Sequence, residues 1–134
     1  MIVIYTDGLA EPNPGLGTYG FSIYRDGERI ARKHGKAGDM VTSNFAEYTG
    51  LVLALKEISV HKDEEILVNS DSKLLVNQMN GDWKFKKGGY VEKLVEARKL
   101  ASMFSRMEFK WIPREENSEA DELSRIAYAE ARSG

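Results

Sequence analysis

Side chains alternate through the first residues, with Ile2, Ile4 and Thr6 on one side of an extended chain and Val3, Tyr5 and Asp7 on the other. The pattern predicts a strand that runs into Asp7, followed by a loop of Gly, Pro and Asn as far as Gly17. Thr18 to Arg25 (TYGFSIYR) reads as a second strand, and Asp26-Gly27 as a two-residue turn into a third, Glu28 to His34, with Gly35, Gly38 and Asp39 breaking the pattern after it. Thr42, Ser43 and Asn44 offer helix N-caps ahead of FAEYTGLVLALKEI. Beyond the charged loop His61 to Glu65, the segment Glu65 to Ser70 (EILVNS) has the character of a short buried strand and ends at Asp71. Ser72 to Asn80 reads as a helix closed by Gly81. Val91, Leu94, Ala97, Ala101 and Phe104 keep helical spacing on one face and belong to the core. Arg106 to Ile112 alternates as a last strand stopped by Pro113, and Asn117 or Ser118 caps a closing helix. This order specifies an α/β domain whose mixed sheet carries helices on both faces.

Composition narrows the class. With 134 residues and 42% hydrophobic content the chain is read as a single domain, residues 1–134, with one core. No run reaches transmembrane length and no signal-peptide pattern precedes the first strand, so the expectation is a soluble cytoplasmic monomer without membrane contact. The absence of Cys removes disulfides, thiolate metal sites and a Cys nucleophile. A net charge of −2 argues against binding nucleic acid through overall charge and leaves room for a local basic patch. One candidate is Gly81 to Tyr90 (GDWKFKKGGY), where Trp83, Phe85 and Tyr90 interleave with Lys84, Lys86 and Lys87. Rings can stack on bases or sugars and ammonium groups can meet phosphates, although the same segment fits a loop whose Trp caps the core.

The acids carry the sharper signal. Asp7 shares a strand face with residues that want burial, where a carboxylate needs a cation, yet Asp-Gly also opens turns. On a helical wheel Glu47 falls on the arc of Leu51, Ala54 and Ile58, away from a fully solvated face. Asp71 stands where a strand hands over to a helix, the place where open α/β sheets put ligands, and it equally suits a helix cap. Asp121 lies in the first turn of the last helix, an ordinary place for an acid. Four oxygen ligands without Cys or His call for Mg²⁺ or Mn²⁺ in preference to zinc, and carboxylates around such ions serve in-line displacement at phosphorus.

YTDG followed by PNPGLGTYG, then TSNFAEY, NSDS and WIPREENSEADELS resemble the type 1 ribonuclease H family, ribonuclease HI, in its compact archaeal and short bacterial form. The resemblance spans essentially the whole chain. It implies the ribonuclease H-like fold, a five-stranded mixed sheet in order 3-2-1-4-5 flanked by helices. It also implies a two-metal endonuclease that hydrolyses the RNA strand of RNA–DNA hybrids to 3′-hydroxyl and 5′-phosphate ends. By motif, the catalytic and metal-binding acids are Asp7, Glu47, Asp71 and Asp121. Asn13, Ser43 and Asn44 match positions that touch the RNA strand, where 2′-hydroxyls mark RNA, and Thr42 matches the residue that holds a DNA phosphate. Trp83 resembles the aromatic of the DNA-binding channel.

Three departures accompany the resemblance. Many bacterial relatives carry a His in the loop before the last acid, and WIPREENSEA has none, leaving Arg114 or Glu115 as possible accessories. The Lys-rich helical protrusion of those relatives has no room between Asn80 and Tyr90, so hybrid affinity is expected to rest on Trp83, Lys84, Lys86 and Lys87. No hybrid-binding domain is expected ahead of Met1, and processive action is not expected. Competing readings are a non-catalytic nucleic-acid-binding module, or a junction resolvase or exonuclease on the same fold. Double-stranded RNA is a further possible substrate, since it displays 2′-hydroxyls on both strands.

Overall fold

The structure is a computed structural model and describes residues 1–81 and 88–133. Strand β1 (Ile2–Glu11) does not turn at Asp7-Gly8 but runs four residues further, paired antiparallel with β2 (Gly15–Arg25) from Ile2 opposite Arg25 to Glu11 opposite Leu16. The Asp26-Gly27 turn is as expected. Both residues have positive φ (52° and 83°), the geometry that matches the twist of a two-residue hairpin. The third strand is twice the expected length. β3 (Glu28–Val41) passes through Gly35 and Gly38, where there is no room for a side chain: a Cβ on Gly35 would lie 2.7 Å from Tyr19 Oη of β2, and one on Gly38 2.5 Å from Val41 Cγ1 of β3 itself. Those glycines continue the ladder, with bulges beside Gly17, in place of ending it.

Helix α1 (Ser43–Glu57) starts at Thr42, whose Oγ1 accepts from Phe45 N–H at 3.1 Å. It is followed by β4 (Glu65–Ser70), α2 (Lys73–Met79, capped by Ser72), α3 (Val91–Ala101), β5 (Arg106–Trp111), a 3₁₀ turn (Arg114–Glu116) and α4 (Ser118–Ser133). α3 stops three residues short of Phe104, which is nevertheless buried as expected. The sheet order is β3-β2-β1-β4-β5, with β4 parallel to both neighbours. α1 and α3 cover one face, where Ile2, Ile4, Phe21, Ile23, Leu51, Leu55, Val68 and Leu94 form the core. α4 crosses β1, β2 and β3 on the other. None of the described helices is long and apolar enough to cross a membrane.

Two glycines set how closely the helices approach. A Cβ on Gly8 would fall 2.5 Å from the backbone at Ala46 and Glu47, and one on Gly20 would fall 2.7 Å from Ser124 N and 2.8 Å from Ala120 O. Contacts that short exclude any side chain, so α1 and α4 rest directly on the sheet from opposite faces.

Candidate active site

Register brings the first two acids together. Thr6 of β1 pairs with Ser70 of the parallel β4, and Ser70 with Trp111 of β5, so Asp7 and Asp71 follow at the same level. Gly8 lets α1 press on β1 there, which carries Glu47 to the same point. Carboxylate oxygens of Asp7, Glu47 and Asp71 all lie within 4.8 Å of one another. They line an open cleft of about 430 Å³ with Gly8, Ser43, Trp111, Arg114, Asp121 and Arg125. Asp7 is buried, whereas Glu47 and Asp71 are partly so.

Crowded acids without full compensation resist ionisation. Burial first, then the charges of Asp71 and Glu47, push the Asp7 carboxyl up to about 8, against the pull of the Gly8 N–H that donates to Oδ1 at 2.9 Å. Burial also raises Glu47 to about 7, with a hydrogen bond from Ser72 opposing the rise and the Asp71 charge adding to it. Asp71 is raised by burial and held back by hydrogen bonding from Asn117 and by the Arg114 charge. An all-oxygen donor set carrying surplus negative charge fits a hard divalent cation, which would supply the charge that the protein's own donors do not.

Asp121 stands at the rim under different control. Arg125 Nε lies 3.3 Å from each of its carboxylate oxygens, and Arg114 Nη2 lies 3.7 Å from Oδ1. Arg114 therefore reaches the cleft. Glu115 is exposed on the 3₁₀ turn and is not among the residues lining the cleft, while Glu116 lines a separate groove with Val3, Tyr5 and Tyr24.

Of the positions expected to touch nucleic acid, Asn13 docks on the start of α1, its Oδ1 accepting from Ser43 N–H at 3.1 Å. Asn13, Thr42, Ser43 and Asn44 thus gather on the side of the cleft that Ser43 lines. Trp83, Lys84, Lys86 and Lys87 lie outside the described residues. Two side chains at the cleft, Arg125 and Trp111, escaped the sequence reading. Arg125 is signalled by its i+4 spacing from Asp121. Trp111 donates Nε1–H to the Asp71 carbonyl at 3.1 Å while the Lys73 ammonium lies 4.8 Å from its ring centroid, and only parallel register could have revealed that contact. Asn117, read as a cap, faces inward and is buried.

A family model described as reverse transcriptase-like matches residues 6–127. Bifunctional protein Rv2228c of Mycobacterium tuberculosis is 37% identical over 127 residues, covering 94% of this chain but only 35% of that protein, so this chain spans little more than a third of that relative. Ribonuclease HI of Synechocystis is 30% identical over 143 residues, covering 95% of this chain and 87% of that protein. Among solved structures, LC11-RNase H1 in complex with an RNA/DNA hybrid superposes with a TM-score of 0.90 at 34% identity, covering 98% of this chain and 99% of that one. The N-terminal RNase H domain of Rv2228c superposes with a TM-score of 0.88 at 36% identity, covering 94% and 97%. Sheet order, acid cluster and relatives converge, and the chain belongs to the ribonuclease HI family.

Proposed function

We propose that this chain is one catalytic domain that hydrolyses the RNA strand of RNA–DNA hybrids, leaving 3′-hydroxyl and 5′-phosphate ends. The observation that carries this reading is the convergence of Asp7, Glu47 and Asp71 at the C-terminal edge of parallel strands, with raised proton affinity. Asp7, Glu47, Asp71 and Asp121 would hold two Mg²⁺ or Mn²⁺ ions. When bound, such ions activate water and stabilise the leaving oxygen of an in-line displacement.

The chain's own residues do the rest. The acids hold charge in fixed geometry on rigid strand and helix ends, which limits reorganisation during reaction. Thr42 Oγ1 accepts the Phe45 N–H and so keeps its own hydrogen to donate to a DNA phosphate at the N-terminus of α1. Asn13, Ser43 and Asn44 read 2′-hydroxyls on the RNA strand, a contact that DNA cannot return. Arg114 cannot serve as a base, because its guanidinium stays protonated, and it instead draws the scissile or departing phosphate toward the cleft. Trp83, Lys84, Lys86 and Lys87 bind the DNA strand, and each lysine removed should flatten the salt dependence of hybrid affinity by about one unit of log–log slope. The protein works as a cytoplasmic monomer.

Cleavage of a labelled RNA–DNA hybrid beside duplex DNA, duplex RNA and a four-way junction, in Mg²⁺ and in Mn²⁺, tests the proposal. Hybrid-selective cutting of the RNA strand is the expected result. Binding without cutting, or preference for the junction, would overturn it, and the duplex RNA lane defines how strictly the DNA strand is required.

A further inference from the structure

Asn117 lies at the entrance to α4, and its polar groups reach three of the four acid-bearing segments. Its side chain crosses to the sheet, where Nδ2 donates to the Thr6 carbonyl at 3.0 Å, the peptide group that leads directly into Asp7. The same amide faces the Asp71 carboxylate and favours its ionised form. Its backbone carbonyl accepts the Asp121 N–H at 3.0 Å, closing the first turn of α4, and its own N–H donates to the Arg114 carbonyl at 2.9 Å. The residue is 1% exposed.

We propose that Asn117 is a positioning residue that locks Asp7, Asp71 and Asp121 into one frame, so that the divalent site is preorganised by a side chain that is not itself a ligand. This rests on the reading of those acids as a metal-dependent hydrolytic centre.

Chemistry fixes the orientation of the amide. Turning it over would set Oδ1 against the Thr6 carbonyl and the Asp71 carboxylate, acceptor against acceptor. In the observed orientation Oδ1 is buried without a partner among the described residues, a cost of about 1–3 kcal/mol that is accepted in return for the donation to Thr6 and for an N–H edge turned toward Asp71. A residue serving only as a helix cap would not need this arrangement: Ser or Asp caps equally well from a shorter reach. Aspartate would put a fourth negative charge against Asp71, and Ser could not span to β1. Asn is the small neutral side chain whose single NH₂ group supplies two donors.

Residues that orient metal ligands from behind typically change metal affinity or turnover by about 10–100-fold when replaced. Asn117→Ala and Asn117→Ser are compared with wild type for Mg²⁺ affinity by calorimetry, for kcat and KM on a hybrid, and for melting temperature without metal. Ser retains a capping hydroxyl and guards against a variant that simply fails to fold. Both variants should bind Mg²⁺ about tenfold or more weakly and lose kcat, with KM for the hybrid little changed. In an Asp71→Asn background, Asn117→Ala should weaken Mg²⁺ binding by clearly less than it does in the wild type, because one of the acids it positions is already lost. Wild-type Mg²⁺ affinity and kcat in both single variants would overturn the inference and leave the hydrolase reading standing. Additive losses in the double variant would equally overturn it. A wild-type protein that neither binds Mg²⁺ nor cleaves hybrid would remove the hydrolase reading as well.

Discussion

Glu47 and Tyr48 are consecutive residues of α1, and they enter two inward-facing polar clusters of opposite character. Tyr48 Oη donates to Gln78 Oε1 at 2.8 Å, Gln78 Nε2 donates to Tyr90 Oη at 3.1 Å, and the two phenol rings stack 5.8 Å apart. That cluster is neutral and its donors and acceptors match. Glu47 joins Asp7 and Asp71, where acceptors face acceptors and burial opposes ionisation. Tertiary structure thus distinguishes polar groups that complete the fold from polar groups that await something outside it. The first kind stabilises, and the second kind strains until a cation arrives.

The contrast breaks most sharply under charge removal. Asp7→Asn or Asp71→Asn should lower cleavage by more than the ~10²–10³ that loss of one well-placed transition-state donor costs, with hybrid binding retained. Melting temperature without metal should hold or rise, because mutual repulsion is relieved. Near-normal turnover in Mg²⁺ would end the proposal, and a large fall in melting temperature would make these acids structural.

Acidity sharpens the comparison next. Below about pH 4 folded and unfolded chains both keep the Asp7 proton; between there and about 8 the unfolded chain has released it while the folded chain has not. Metal-free stability should therefore be fullest in acid and fall as pH rises toward and through 8. Asp7→Asn or saturating Mg²⁺ should flatten the curve, as thermal melts across pH would show. The opposite slope would mean that the acids are compensated within the protein.

In the neutral cluster the signs invert. Tyr48→Phe strands the side-chain Oε1 of Gln78 and should cost about 1–3 kcal/mol in denaturant titration, with cleavage per folded molecule unchanged. The smallest effect is expected at Arg114, whose exposed pairing with Asp121 is worth roughly 0–1 kcal/mol, so Arg114→Ala should slow turnover within about fivefold. His34 pairs with Glu130 and His61 with Glu64, away from the cleft, so replacing either should leave the pH–rate profile in saturating Mg²⁺ unchanged. An inflection near the usual His value of about 6.5 that vanished in either variant would place a histidine in the chemistry.

Local periodicity carried most of the fold. The Asp26-Gly27 turn, EILVNS as a short buried strand and Thr42 as a cap are decided by residues close in sequence, and they are legible there. β3 was misjudged because Gly35 and Gly38 look like breakers until Tyr19 and Val41 are known to crowd them. The acids are legible through strand ends and helical phase, whereas their spacing depends on Thr6 meeting Ser70, 64 residues further along the chain. Asn117 was hardest to read, since its partner Thr6 lies 111 residues away and a cap is what such a residue usually is.

Gly8 and Gly20 have a consequence for how the sequence can change. At the acid end the distance from helix to sheet is fixed by main chain against main chain, with no side chain between them to act as a spacer. Deeper in the core, Leu51, Leu55 and Leu94 can exchange for residues of similar volume at a cost that usually stays below about 1.5 kcal/mol. Such exchanges shift stability without moving Glu47 relative to Asp7. The molecule can therefore adapt to heat, cold or salt along one set of positions while its carboxylate spacing is held by another.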